Sequence, residues 1–235
     1  MKPQEAFEEL FRDFVKEFGG EVLPEPSDTK IADYLFRKEN IVAELKCLVL
    51  DQTAPMNTRL TQVVKHVVKQ NESLLAFCDG EPLEIAKAPK EISDPWLDIL
   101  TAPLEGIVET ANRQIRSTKE RLNLPIAQGL LLIFNYGNPL HNRPKDFRLL
   151  LAKVLRKKWP NKELRFTHIQ GVVYFSYETV KTQEQNMSFW APMQIQVALG
   201  DDMKPMEKFQ KDLQQGWYAY VEKISGRPVR QHVGE

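Results

Sequence analysis

The run "GLLLIFNYG" at 129–137 limits the fold more than any other stretch of the chain. A strand with one wet face alternates apolar and polar residues, whereas an unbroken apolar run between glycines is a strand buried on both faces. Such a strand needs cover on two sides, and amphipathic helices are available to supply it. Phe7, Leu10, Phe11, Phe14, Val15 and Phe18 recur at helical spacing, with Gly19-Gly20 as a stop. Further helices are predicted over "TRLTQVVKHVVKQNE", about Leu104–Leu122, "DFRLLLAKVLRKKWP" and Met206–Ile224. Strands are predicted at Glu21–Leu23, Ile31–Phe36, Ile41–Cys47, Gly171–Tyr177 and "APMQIQVAL", with "SLLAFC" a strand or buried segment, while the proline-punctuated "EPLEIAKAPKEISDP" crosses the surface. The sum is one α/β domain over residues 1–235, with no internal repeat and no obvious linker.

Composition narrows the function. Thirty-two basic and 32 acidic residues cancel, so affinity for nucleic acid has to come from a local basic surface rather than from overall charge. Cys47 and Cys78 stand far apart and form no zinc-ligand spacing; both read as buried thiols in a reducing compartment. The amino terminus is acidic and amphipathic rather than a signal peptide, and no stretch has the length of a membrane span, so a cytoplasmic protein is expected. Serine-hydrolase elbows, phosphate-binding loops of the G-x-x-x-x-G-K-[ST] type and dinucleotide fingerprints are missing from the sequence.

The hairpin "ADYLFRKENIVAELK" (32–46) carries the chemistry. If Phe36 and Ile41 close its turn, Tyr34 lies opposite Ala43 and Ala32 opposite Leu45, making one face wholly apolar. On the other face Leu35 meets Val42, Asp33 meets Glu44 and Ile31 meets Lys46. Directly opposed side chains have Cβ atoms about 4.5–5.5 Å apart, so the two carboxylates repel. One reading is a solvated strand surface whose acids are tempered by Lys46. The other is a cleft, because the same face carries Ile31, Leu35 and Val42. A hard divalent cation would remove the repulsion, and Lys46 would then counter phosphate charge or orient a water.

Asp33, then Glu44-Leu45-Lys46 on the adjoining strand, after an amphipathic helix and before a helix and a buried strand, resembles the PD-(D/E)XK nuclease superfamily. The resemblance implies a restriction-endonuclease-like core, a central mixed sheet flanked by helices, at about 1–136 with a helical insertion at 51–103. Residues 137–235 would form a C-terminal α/β extension. It further implies Asp33, Glu44 and the Leu45 carbonyl as ligands of Mg²⁺ or Mn²⁺, and Asp33, Glu44 and Lys46 as the catalytic set. Glu8 or Glu9 on the first helix would add an acid. Arg113, Gln114, Arg116 and Lys119, on the helix after the motif, would contact nucleic acid. Ala32 departs from the family pattern by standing where its proline would be. The implied activity is metal-dependent hydrolysis of phosphodiester bonds, with DNA favoured over RNA and a homodimer as an associated expectation. The alternative is an inactive protein of the same fold acting as a binding or scaffold module.

A second basic cluster comprises Arg156, Lys157, Lys158, Lys162 and Arg165, ranked behind the first because the implied fold puts the first beside the cleft. Trp217, Tyr218, Tyr220 and Val221 at helical spacing read as core or a dimer surface, and His66 as structural.

Overall fold

The computed structural model describes residues 3–24, 30–48, 90–136, 144–176, 178–181, 187–190, 193–199 and 203–226, with residue 228 and a few positions between 58 and 69. The segment "SLLAFC", seven of the fifteen residues of "TRLTQVVKHVVKQNE" and Cys78 lie outside the described residues, and the other eight residues of that stretch are helical as predicted. Within them the elements are α1 (Pro3–Glu17), β1 (Glu21–Val22), β2 (Tyr34–Phe36), β3 (Ile41–Leu48), α2 (Lys90–Arg121), β4 (Gln128–Asn135), α3 (Pro144–Leu155), β5 (Gly171–Ser176), β6 (Glu178–Lys181), β7 (Met187–Trp190), β8 (Met193–Ala198) and α4 (Lys204–Ser225). They fall into two compact units. The first holds 1–49, 109–137 and 166–235, and the second 50–108 and 138–165.

The first unit is an α/β layer structure around a six-stranded mixed sheet ordered β1-β2-β3-β4-β5-β8. β1, β2 and β3 run antiparallel, β3, β4 and β5 parallel, and β8 closes the edge antiparallel to β5. β4 sits between two parallel neighbours, and every residue from Gly129 to Asn135 is buried, which is what its unbroken apolar run demands. The hairpin register also follows from parity: Tyr34 pairs with Ala43, Leu35 with Val42 and Phe36 with Ile41. β6 and β7 form a separate two-stranded ladder that the sequence pattern did not reveal.

One face of the sheet is sealed by aromatic packing. Phe7, Phe11 and Phe14 of α1 meet Phe134, Phe175 and Tyr34 from the strands and Trp217 from α4. Phe7 stacks on Phe134 with ring centroids 3.6 Å apart. Fully burying each such ring stabilises by about 2–3 kcal/mol, so this face supplies the surplus that a costly polar face elsewhere requires. α1 stops where expected: Gly19 adopts φ 91°, and the Gly20 N–H bonds back to the Val15 carbonyl. Gly216 lets α4 approach α1, since a Cβ there would lie 2.6 Å from the Phe18 ring. Trp217 is fully buried, so the aromatic face of α4 belongs to the core rather than to a dimer surface.

Two helix boundaries and one strand boundary correct the sequence reading. α2 begins at Lys90 rather than near Leu104 and runs through Pro95 and Pro103, although each proline lacks an N–H and crowds the carbonyl one turn back. α3 ends at Leu155, and "RKKWP" forms a hairpin instead of a last helical turn, as Pro160 suggests. Residues 31–33 leave the strand. α2 takes the backbone of the first two: the Gln114 amide donates to the Ile31 carbonyl at 3.1 Å, and the Ala32 N–H donates to Thr118 Oγ1 at 2.7 Å, while the Asp33 carbonyl still accepts the Leu23 N–H at 2.8 Å.

The second unit contains the amino-terminal part of α2, α3 and the hairpin that follows it. Leu104, Val108, Phe147, Leu151 and Val154 are buried. Lys153 pairs with Asp98 at 3.0 Å, and Lys157 and Arg165 converge on Glu105.

Candidate active site

Strand parity assigns β3 two functions. Ile41, Ala43 and Leu45 point into the aromatic core. Val42, Glu44 and Lys46 point to the opposite face, where α2 packs. Its carboxyl-terminal part from Glu109 belongs to the first unit, and so do all residues of the site.

Asp33 lies between the residues that α2 binds and the start of β2, its carbonyl accepting the Leu23 N–H, and its side chain reaches β3: its Oδ2 accepts the Leu45 N–H at 2.8 Å. The direction of that bond locates a second oxygen. The Asn40 carbonyl accepts the Gln128 N–H, and the Leu48 carbonyl accepts the Tyr136 N–H. Even-numbered residues of β3 therefore bond toward β4, and odd-numbered ones face the other edge. Leu45 directs its N–H and its carbonyl to the Asp33 side, beyond the end of the β2 ladder.

Glu44 is only 1% exposed. One of its oxygens accepts the Lys46 ammonium, and the other, Oε2, is buried with no hydrogen-bond partner. Lys46 also donates to Gln114 Oε1 at 2.8 Å, so Gln114 braces the lysine with its carbonyl and the Ile31 backbone with its amide. A lysine ammonium has three protons; two are engaged here, leaving one for a further acceptor. The electrostatics are strained. Burial first, and the Asp33 charge second, push the Glu44 carboxyl up to about 8. Burial raises Asp33 as well, opposed by the Leu45 N–H and the Lys46 charge. Two acids share one lysine, and ionising both would leave that trio with a net negative charge.

These groups open on a pocket of about 210 Å³ lined by Asp33, Glu44, Leu45, Lys46, Gln114, Glu8, Arg12 and Lys30, among others. Between the two candidate acids of α1, the structure brings in Glu8 and leaves Glu9 exposed. Glu8 is engaged on its own helix and strand, accepting from Gln4 at 2.9 Å and from the Cys47 thiol at 3.4 Å. Arg12, one helical turn on, was not among the sequence candidates; its i+4 spacing from Glu8 was the available signal.

The basic residues of α2 divide. Arg113 and Arg116 are exposed and do not line the pocket. Lys119, expected to contact nucleic acid, is turned inward: it is 7% exposed and donates to the His168 carbonyl and Gln170 Oε1, both at 3.3 Å. Burial lowers its ammonium to about 8. It serves packing between α2 and the loop before β5 rather than a phosphate.

The donors fit a hard divalent cation. They are two carboxylates, one with an unsatisfied buried oxygen, and a backbone carbonyl on the same edge, all oxygen and no soft ligand. Among the described residues no group of three or more His, Cys, Asp or Glu side chains is placed to hold a metal ion, so the fit rests on this smaller set, with waters or substrate oxygens completing the shell as Mg²⁺ prefers. No helix of the described residues is long and apolar enough to cross a membrane. No protein-family model, curated protein or solved structure matches the chain.

Proposed function

We propose that the chain is a metal-dependent nuclease of the PD-(D/E)XK type that hydrolyses phosphodiester bonds, with DNA as the favoured substrate. The observation that carries the reading is the convergence of Asp33, Glu44 and Lys46 on one pocket, with Glu44 Oε2 buried and unsatisfied. The order helix, three antiparallel strands, helix, parallel strand supports the same family.

Asp33, Glu44 and the Leu45 carbonyl would hold Mg²⁺ or Mn²⁺. When bound, the cation supplies positive charge at the scissile phosphate and the leaving oxygen. The protein's own residues do the positioning. Lys46, held by Glu44 and Gln114, offers its remaining proton to the attacking water or a phosphate oxygen. Gln114 fixes both the lysine and the backbone that presents Asp33. Hydrolysis joins the water oxygen to phosphorus and breaks the bond to the leaving 3′-oxygen, which departs with a proton as a hydroxyl. The favoured base type is a family analogy.

The test is cleavage of single- and double-stranded DNA and RNA in Mg²⁺, Mn²⁺ or EDTA, with Asp33→Ala and Lys46→Ala proteins checked for folding by circular dichroism. Activity that needs metal and is lost in both folded variants supports the proposal. Absence of cleavage on every substrate, or equal cleavage in the variants, points to an inactive binding module on this fold.

A further inference from the structure

The second unit carries a basic hairpin that the catalytic pocket does not use. After α3 the chain reads "RKKWPNKELR" (156–165), where Arg156, Lys157, Lys158, Lys162 and Arg165 stand against a single acid, Glu163. The Lys158–Leu164 bridge, Arg165 N–H to the Lys157 carbonyl and Trp159 N–H to the Glu163 carbonyl close it into two short antiparallel arms. The Lys162 N–H returns to the Trp159 carbonyl at 2.9 Å, making a tight turn with Pro160 at its first corner.

Its charges are divided by role. Lys157 and Arg165 are neutralised by Glu105 of α2 and root the hairpin. Arg156, Lys158 and Lys162 are exposed and have no acidic partner among the described residues. Trp159 is 50% exposed, and the Arg165 guanidinium lies 4.8 Å from its ring centroid. The arginine covers one face of the indole and fixes its orientation, leaving the ring presented among three free cations. Lys162 sits at φ 69°, a left-handed position that glycine or asparagine occupies at least cost. A cation at the tip of the turn is therefore kept against local preference.

We infer that this hairpin is a nucleic-acid contact: Arg156, Lys158 and Lys162 engage backbone phosphates, and Trp159 stacks on an unpaired base. Exposed cations supply the salt-dependent attraction to phosphate, and an indole held flat supplies the stacking platform that single strands require. An anionic membrane would use the charges equally well but calls for a larger apolar face than Trp159 and Leu164 present. The inference draws on the nuclease reading for the purpose of the bound strand. The binding itself stands apart from it and can be measured with metal withheld.

The experiment is fluorescence anisotropy of a labelled mixed-sequence DNA strand, its duplex and an abasic strand of equal length, in EDTA over a range of salt. The full chain should prefer the base-bearing single strand. Trp159→Ala should weaken that binding about tenfold and remove the preference over the abasic strand, while Trp159→Phe restores most of both. Lys158→Ala and Lys162→Gly should each weaken binding to all three probes and reduce the salt slope by about one. Because Lys162→Gly relieves a left-handed backbone, it should melt no lower than the parent, which separates lost contact from lost folding. Unchanged binding in all four variants overturns the inference. So does stronger binding to phosphatidylserine vesicles than to any strand, lost in the same variants. Loss of binding in the hairpin variants of a protein that cleaves nothing would end the nuclease reading and leave this one standing. Cleavage with binding untouched would do the reverse.

Discussion

The molecule builds two clusters from the same kinds of residue, one in each unit, with opposite charge balance. Around Glu105 one carboxylate meets two cations, Lys157 and Arg165, and its carboxyl is held below the usual range, led by the Lys157 bond. Around Glu44 two carboxylates meet one cation, Lys46, and burial with the Asp33 charge drives the carboxyl up to about 8. The first cluster is satisfied and ties α2 to α3 and the hairpin. The second is in deficit, with a buried oxygen that nothing among the described residues bonds. A fully paired cluster is explained by the fold that it stabilises, whereas one kept in deficit needs a ligand that the fold does not contain. On the proposed reading, that ligand is a divalent cation.

The largest contrast lies in activity. Lys46→Ala or Asp33→Ala should lower metal-dependent cleavage by at least about a hundredfold, in folded protein, measured as initial rates on the preferred strand. Next in size is stability at the other cluster. Glu105→Ala leaves two cations facing each other, half-buried, and should cost about 2 kcal/mol in urea unfolding. Gln114→Ala should cost about 1 kcal/mol by the same measurement, because Lys46 and the Ile31 carbonyl each lose a partner.

The pH dependence separates the clusters by sign. For Glu44 burial lifts the folded carboxyl to about 8, against 4.5 for a free glutamate. Between those values the folded state holds the extra proton, so in EDTA the wild type loses stability as pH rises through this window. Glu44→Gln removes that loss, and its melting temperature relative to wild type should climb from pH 5 to pH 8. Glu105 runs the other way. Its folded carboxyl lies below the 4.5 of a free glutamate, so its contribution is present above that value and fades on acidification. The deficit of Glu105→Gln should hold steady above pH 5 and shrink in acid. Parallel curves for the two variants would erase the distinction drawn between the clusters.

Much of the fold was legible because periodicity survives burial. The phenylalanines of α1, the unbroken run of β4 and the parity of Tyr34–Phe36 against Ile41–Ala43 each state their own structure. The same parity anticipated that Asp33 and Glu44 would share a face, although Asp33 lies beyond the β2 ladder and meets Glu44 only at the pocket. What was hidden depends on bonds between distant segments. Ile31 and Ala32 leave the sheet for Gln114 and Thr118, more than eighty positions away. Lys119 turns inward toward carbonyls before β5, and spacing within its own helix cannot reveal that. The start of α2 was masked by Pro95 and Pro103, whose local signal is to break a helix. Glu8 was chosen over Glu9 by the rotation of α1, which its buried Phe7 and Phe11 set.

The most direct measurement is a Mn²⁺ titration of the wild type and Glu44→Gln at pH 8, following free Mn²⁺ by electron paramagnetic resonance. The account predicts a saturable site in the wild type that weakens at least tenfold in the variant, since losing a carboxylate removes the buried oxygen the cation satisfies. Equal binding in both proteins, or none in the wild type, would contradict it.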